Sequence, residues 1–406
     1  MKEKLEKYAE VLLKGCLNIR KDSILFISFN IERIDFVRIL SSIAYKIGVK
    51  EIYYDIVDPY LKHDAIKNLS LSELKNTNLF NKCIWNEYAK KGAYFLMLAS
   101  ENPGLMSDIS SKKLSDITMY GYETRREFDE LRDNNITPWC IALVPTESWA
   151  KQVLNNSLDP INEMWDIIFD ICGINENDSL KAINDNINLL NKRANKLNEL
   201  KLRTLIYKNN LGTNFSIDLP KNHIWNSGKE TISNGDDILV NFPTFEIFTS
   251  PDCMSANGIV YSSKPLSYNN VVIDEFNITF KDGKAIECKA KQGEETLINL
   301  INSCPNSDRL GEVALVPFDS PISNSNIVFY ETLFDENASC HIALGASFKD
   351  CILNGKNMTK KELEENNLNE CDNHVDFMIG TKDLEIIGIK EDGKEIQIFK
   401  DGNFVI

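Results

Sequence analysis

The sequence predicts an α/β N-terminal domain with a mostly parallel sheet, followed by a β-rich α+β C-terminal domain. Three observations carry this. Up to about residue 144, short apolar runs alternate with stretches of helical periodicity, the pattern of parallel strands joined by helical crossovers. Beyond residue 203 the runs become short strands separated by tight turns such as Asp282-Gly283. A chain of 406 residues also exceeds what one hydrophobic core ordinarily organises. The change of pattern sets the domains at 1–202 and 203–406.

In the first half, Leu5, Tyr8, Ala9, Leu12 and Leu13 share one helical face, and Gly15 follows as a stop. Residues 23–29 read as a buried strand. A helix over 32–47 ends at Gly48, and 51–57 forms the second strand of a β-α-β unit. Residues 93–100 make a third strand, closed by Pro103-Gly104; a charged helix about 113–132 leads to a fourth at 138–144. The first strand-to-helix turn, Ser28-Phe29-Asn30-Ile31-Glu32, has no glycine, and no G-x-G-x-x-G or G-K-[ST] loop occurs. This excludes the usual dinucleotide and phosphate-loop sites, and leaves the N-terminal domain as a scaffold or substrate-access wall.

Residues 149–202 read as helical, with Leu180, Ile183, Ile187, Leu190, Leu197 and Leu200 as a packing stripe between the domains. Strands are then expected at 204–207, 214–217, 237–240, 271–272, 278–281 and 284–290. The polar segment 354–370 reads as a mobile insertion or lid.

A net charge of −15, with Lys and Arg spread along the chain, excludes a nucleic-acid partner, because phosphate binding needs a basic surface. No apolar run of about 18 residues appears, so no membrane span is expected. The charged start, Met1-Lys2-Glu3-Lys4-Leu5-Glu6, lacks the apolar core of a signal peptide, and a cytoplasmic protein is expected. Ten cysteines without any Cys-x-x-Cys spacing read as reduced thiols packed mostly as small apolar side chains, Cys340 among them.

The candidate chemistry lies in the second half. His341 ends the phrase Asp335-Glu336-Asn337-Ala338-Ser339-Cys340-His341, and His374 opens His374-Val375-Asp376. Imidazole with carboxylate suits zinc, cobalt or manganese, whereas a thiolate cage would need clustered cysteines. A strand at 374–376 would point His374 and Asp376 to one face. Glu312 stands in the apolar run Leu310-Gly311-Glu312-Val313-Ala314-Leu315-Val316, where an ionised carboxylate is costly unless paired or metal-bound. Glu246, between Phe245 and Ile247-Phe248, is either a surface residue of an edge strand or a buried carboxylate that needs a cation. His63 and His223 lack such company and read as surface residues.

Five phrases in order carry a resemblance. They are Pro243-Thr244-Phe245-Glu246-Ile247-Phe248-Thr249-Ser250-Pro251-Asp252, Leu310 to Val316, Ser320-Pro321-Ile322-Ser323, Phe329 to Ala338, and His374-Val375-Asp376-Phe377-Met378-Ile379-Gly380. Together they resemble the thermophilic metalloaminopeptidases, the leucyl aminopeptidase, aminopeptidase T and aminopeptidase S type. The resemblance implies a metal-dependent exopeptidase that removes the N-terminal residue of peptides with two divalent ions (zinc, cobalt or manganese), built as a homodimer with a metal-binding catalytic C-terminal domain. Carried over by position, the metal ligands are Glu246, Glu312, His341, His374 and Asp376, with Glu336 a sixth. A carboxylate that binds metal loosely or not at all would move the proton from water to the leaving amine, and Glu312 or Glu336 could serve. Two positions depart from the family pattern. Phe245 stands where the family commonly has a second carboxylate. Phe348 stands where it usually has a tyrosine, whose hydroxyl is thought to help stabilise the oxyanion. These phenylalanines motivate an alternative, a catalytically weak metal-binding relative acting as a peptide-binding or assembly protein. A phosphoesterase would need basic residues, for which Arg309 alone is thin support.

Overall fold

The computed structural model describes residues 1–77, 79–100 and 102–406, the side chains of 77 and 79–82 excepted. They gather into two compact units. One consists of residues 1–109, 120–187 and 228–244, the other of 110–119, 188–227 and 245–406. The chain thus passes between the units several times.

The first unit is built on a parallel sheet of β1 (Ile24–Asn30), β2 (Glu51–Val57), β3 (Tyr94–Ala99) and β4 (Trp139–Leu143) in the order β4-β3-β1-β2. β1 is almost wholly buried because both its neighbours are strands and helices cover its faces. Its Phe26 stacks on Phe95 of β3 at 4.6 Å between ring centroids, and Trp85 and Phe128 complete this part of the core. The helix Ile34–Ile47 ends where expected, on Gly48 at φ +103, whose N–H reaches the carbonyls of Ala44 and Tyr45. The expected helix about 113–132 is broken into Ser111–Thr124 and Arg126–Asp133. The parallel sheet also has a member that periodicity did not place: Asn241–Phe242 pairs parallel with β4. An apolar run announces a strand, but it carries no information about which strand it will join.

The second unit holds two antiparallel sheets. The larger includes Leu202–Lys208, Asn214–Asp218, Asn257–Tyr261, Val271–Lys281, Lys284–Gln292, Glu385–Lys390 and Glu395–Lys400. Val271–Lys281 is one strand where the sequence suggested two; Glu275 within it adopts φ +48, which breaks the alternation a periodicity reading relies on. The smaller sheet runs in the order His374–Met378, His341–Gly345, Leu310–Leu315, Ile247–Thr249, Asn226–Ser227. Segment 354–370 is folded rather than an open loop. Thr359 and Glu362 cap the helix Lys360–Glu365 reciprocally, and Leu363 packs with Ile352 and Leu368 in a small core of its own. Among the described residues no helix is long and apolar enough to cross a membrane.

Candidate metal centre

The smaller sheet gathers the chemistry by register. Glu312 lies opposite Ala343, and Ala343 opposite Asp376, so these three side chains form one row on one face. His341 is two residues from Ala343, and His374 two from Asp376, which puts both imidazoles on that same face. The central strand contributes only Ala343 and Gly345 between the flanking functional groups, which leaves room there. Two glycines are required by close approach. A Cβ on Gly311, at the register shift before Glu312, would lie 2.1 Å from the Ala346 carbonyl oxygen. A Cβ on Gly345, at φ +105, would lie 2.2 Å from that of Asn373. Glu246 enters just before Ile247–Thr249, two residues from Phe248, and is 5% exposed; of its two sequence readings, the buried carboxylate is the one observed.

Donor atoms of Glu246, Glu312 and His341 lie within 4.8 Å of one another, and so do those of Glu312, His374 and Asp376. Glu312 belongs to both groups. His341 Nε2 is 3.1 Å from Glu246, and His374 Nε2 is 3.0 Å from Glu312 and 3.4 Å from Asp376. The other ring nitrogens are held by main chain: His374 Nδ1 lies 2.8 Å from the Ala346 carbonyl oxygen and His341 Nδ1 3.2 Å from that of Ser339. When neutral, each imidazole therefore donates from Nδ1 and turns the Nε2 lone pair toward the carboxylates, the orientation typical of a metal ligand. Asp376 Oδ1 is buried without a hydrogen bond, although His374 Nε2 approaches it at 3.4 Å. Such a donor set fits a divalent cation, which would offset the surplus of negative charge and engage that oxygen.

The electrostatics of the cluster point the same way. Burial pushes the Glu312 carboxyl up to about 7, against the pull of His374. Burial also raises Glu336 well above the carboxylate range, and the charges of Asp376, Glu246 and Glu312 add to it. For His341 burial works downward, but Glu246, Asp376 and Glu312 outweigh it and hold the imidazole at about 9. His374 is lifted likewise by Asp376 and Glu312. Burial would raise Asp376, yet the two imidazoles bring it down to about 2. Below about pH 9 His341 thus keeps a proton that an ion must displace, so metal affinity should rise with pH toward that value and loading at pH 7 should release protons. Calorimetric titration in two buffers of different ionisation enthalpy reads this directly; identical heats in both would mean that no proton leaves.

Glu336 ends the helix Thr332–Glu336 and is buried close enough to the cluster to feel its charges, but it belongs to neither donor group. Sequence reading assigned no role to Asn337, and the structure gives it one. Its buried amide accepts from the Phe245 N–H at 2.6 Å and donates to the Leu333 carbonyl at 2.9 Å, which ties the approach to Glu246 onto the Glu336 helix. The signal available was an asparagine in the apolar phrase after Glu336, too common a residue to single out. The remaining histidines are not plain surface residues. His63 sits between Asp108 at 2.8 Å and Asp64 at 3.1 Å with its side chain 14% exposed. His223 lies against the Pro220 carbonyl at 2.8 Å, its Nε2 buried without a partner. Neither joins a metal-competent group among the described residues.

By its chemistry the constellation is a donor set that could hold a divalent cation, placed on an antiparallel sheet in a chain whose other compact unit is built on a parallel sheet. Over residues 1–404 the chain matches the family described as thermophilic metalloprotease (M29). It is 36% identical to aminopeptidase 2 of Geobacillus stearothermophilus, over 99% of this chain and 98% of that protein. It is 34% identical to aminopeptidase AmpS of Bacillus subtilis, again over 99% and 98%. The solved structure of wild-type AmpT from Thermus thermophilus superposes with a TM-score of 0.91 at 28% identity, covering 100% of both chains. The chain belongs to the M29 thermophilic metalloprotease family and is a metal-dependent peptidase.

Proposed function

We propose that this protein is an aminopeptidase that cleaves the N-terminal residue from peptides with a free amino terminus and works with two divalent ions. Glu246, Glu312 and His341 would hold one ion and Glu312, His374 and Asp376 the other, with zinc, cobalt and manganese the metals that suit these donors. The observation that carries the reading is the sharing of Glu312 between two donor groups. Bound there, the ions would supply Lewis acidity toward the scissile carbonyl and the attacking water.

The chain's own residues do the rest. The carbonyls of Ala346 and Ser339 fix the imidazoles, so no reorganisation is needed when Nε2 is engaged. Buried Glu336 stands outside both donor groups; ions held by those groups would offset the negative charges that raise it and leave its carboxylate able to take the proton of the attacking water and pass it to the leaving amine. The free amino group of the substrate would bind an ion or an acidic side chain beside it. Metal analysis of the purified protein, followed by assay on aminoacyl amides with and without added Co²⁺, Zn²⁺ or Mn²⁺, tests this. Hydrolysis that needs metal and a free amino terminus is expected, and full activity in chelator or on N-acetylated substrates would overturn it.

Phe348 supplies a further test. Its ring centroid lies 4.8 Å from that of His374 and 5.4 Å from that of Phe248, so it borders the proposed site but carries no donor. A tyrosine in the same place adds one hydroxyl with little change of volume. One oxyanion donor is worth roughly 3 kcal/mol, or about a hundredfold in rate. Phe348→Tyr should therefore raise kcat on a leucyl amide toward that limit while KM changes little. An unchanged kcat with the metal site full would show that another group already fills the role.

A further inference from the structure

Cys304 and Cys371 stand 67 residues apart in sequence, yet their Sγ atoms are 3.1 Å apart, and neither residue is fully buried. The two loops that carry them are fastened on both sides of the sulfurs. Asn373 Nδ2 donates to Ser303 Oγ at 2.8 Å, Asn306 Nδ2 donates to the Glu370 carbonyl at 3.1 Å, and Asn369 Nδ2 donates to the Asn306 carbonyl at 2.9 Å. The Cys371 thiol itself donates to Asn373 Oδ1 at 2.8 Å. The sulfurs are therefore held face to face by the surrounding chain, and a disulfide needs only about 1 Å of closure, to a bond of about 2.05 Å. The Cys371 sulfur beside it lowers the Cys304 thiol to about 6, more than offsetting burial, which favours the Cys304 thiolate as the attacking sulfur. Other thiols differ. Cys16, Cys140 and Cys172 are wholly or nearly wholly buried, and burial pushes Cys16 and Cys172 up, which makes them packing residues.

We propose that Cys304 and Cys371 form a reversible oxidation site whose oxidant is a peroxide and whose product is an intramolecular disulfide. The Cys304 thiolate attacks one oxygen of hydrogen peroxide, the O–O bond breaks, and hydroxide leaves with Cys304 as a sulfenic acid. The Cys371 sulfur then attacks the Cys304 sulfur and the S–O bond breaks. The departing hydroxide takes up the thiol proton as water, so two thiols and one peroxide give one disulfide and two waters. A dithiol returns the two electrons. The bond would tether the segment that runs into His374 three residues later, whose backbone already accepts from Ala346 N–H at Asn373.

Full-length protein treated with a small molar excess of hydrogen peroxide and mapped under non-reducing conditions decides the question. A crosslinked peptide containing Cys304 and Cys371 is expected, two hydrogens lighter than the sum of its parts and released by dithiothreitol. It should be absent from Cys304→Ser, and Cys371→Ser should leave a Cys304 sulfenic acid that dimedone traps. Cys16→Ser should crosslink like the wild type. Treated protein in which both residues still alkylate as free thiols, or in which Cys304 proceeds to sulfinic acid with Cys371 intact, overturns the proposal. Because the readout is covalent, it stands or falls separately from the metal assignment.

Discussion

Replacing His374 or Asp376 with alanine should deprive the protein of one metal ion and of most of its peptidase activity. Loss of a residue that merely supports a ligand typically costs about 10–100-fold in metal affinity, so loss of a ligand should cost more than about 100-fold. Lewis-acid stabilisation is worth several kcal/mol, which makes the expected fall in turnover at limiting metal roughly a thousandfold. The fold should survive either change. Removing Asp376 relieves a surplus of negative charge and leaves His374 paired with Glu312 at 3.0 Å; removing His374 takes away an imidazole that is 24% exposed. Excess metal should restore part of the activity, because a weakened site can still be filled by mass action. His63→Ala, in the α/β unit and paired with Asp108, serves as the control and should leave metal content unchanged. Wild-type metal stoichiometry in the His374 and Asp376 variants at low free metal would rule out their assignment as ligands.

Glu336→Gln should behave oppositely with respect to metal. The amide keeps the shape of the side chain and cannot carry a proton, so both ions should stay while kcat falls by about 10²–10⁴-fold, the usual range for a general acid–base group. KM should change little, since proton transfer is felt in the transition state rather than in the bound substrate. Added metal should not rescue it. Burial already favours the neutral acid at Glu336, and the amide is neutral and of the same shape, so the variant should fold about as well as the wild type. If metal content falls with kcat, Glu336 is the sixth ligand that its place in the sequence also allowed, and the proton carrier must be sought elsewhere.

Much of this was readable before any coordinates. The four principal strands of the parallel sheet, the stop at Gly48 and the pairing of His374 with Asp376 follow from patterns within a few residues of each other, whereas His341 pairs with the distant Glu246 rather than with the carboxylates of its own phrase. The segment around Val271–Lys281 misled because a single left-handed residue interrupts the alternation. The 354–370 segment misled because a polar composition can still fold when a capping box and three apolar residues organise it.

What the sequence by itself determined is the inventory: which carboxylates and imidazoles are available, and that Glu312 in an apolar strand needs a cationic partner. The period of two also put His374 and Asp376 on one face. The tertiary structure alone decided that Glu312 and Asp376 share a row through Ala343, that Glu312 stands in both donor groups, and that Glu336 stands in neither. It alone brought Cys304 against Cys371 and Asn337 beneath Phe245. The reason is physical. Side-chain direction along a strand is set by local backbone geometry and repeats in the sequence. Register between strands separated by dozens of residues is set by the packing of whole faces, and it leaves no local trace.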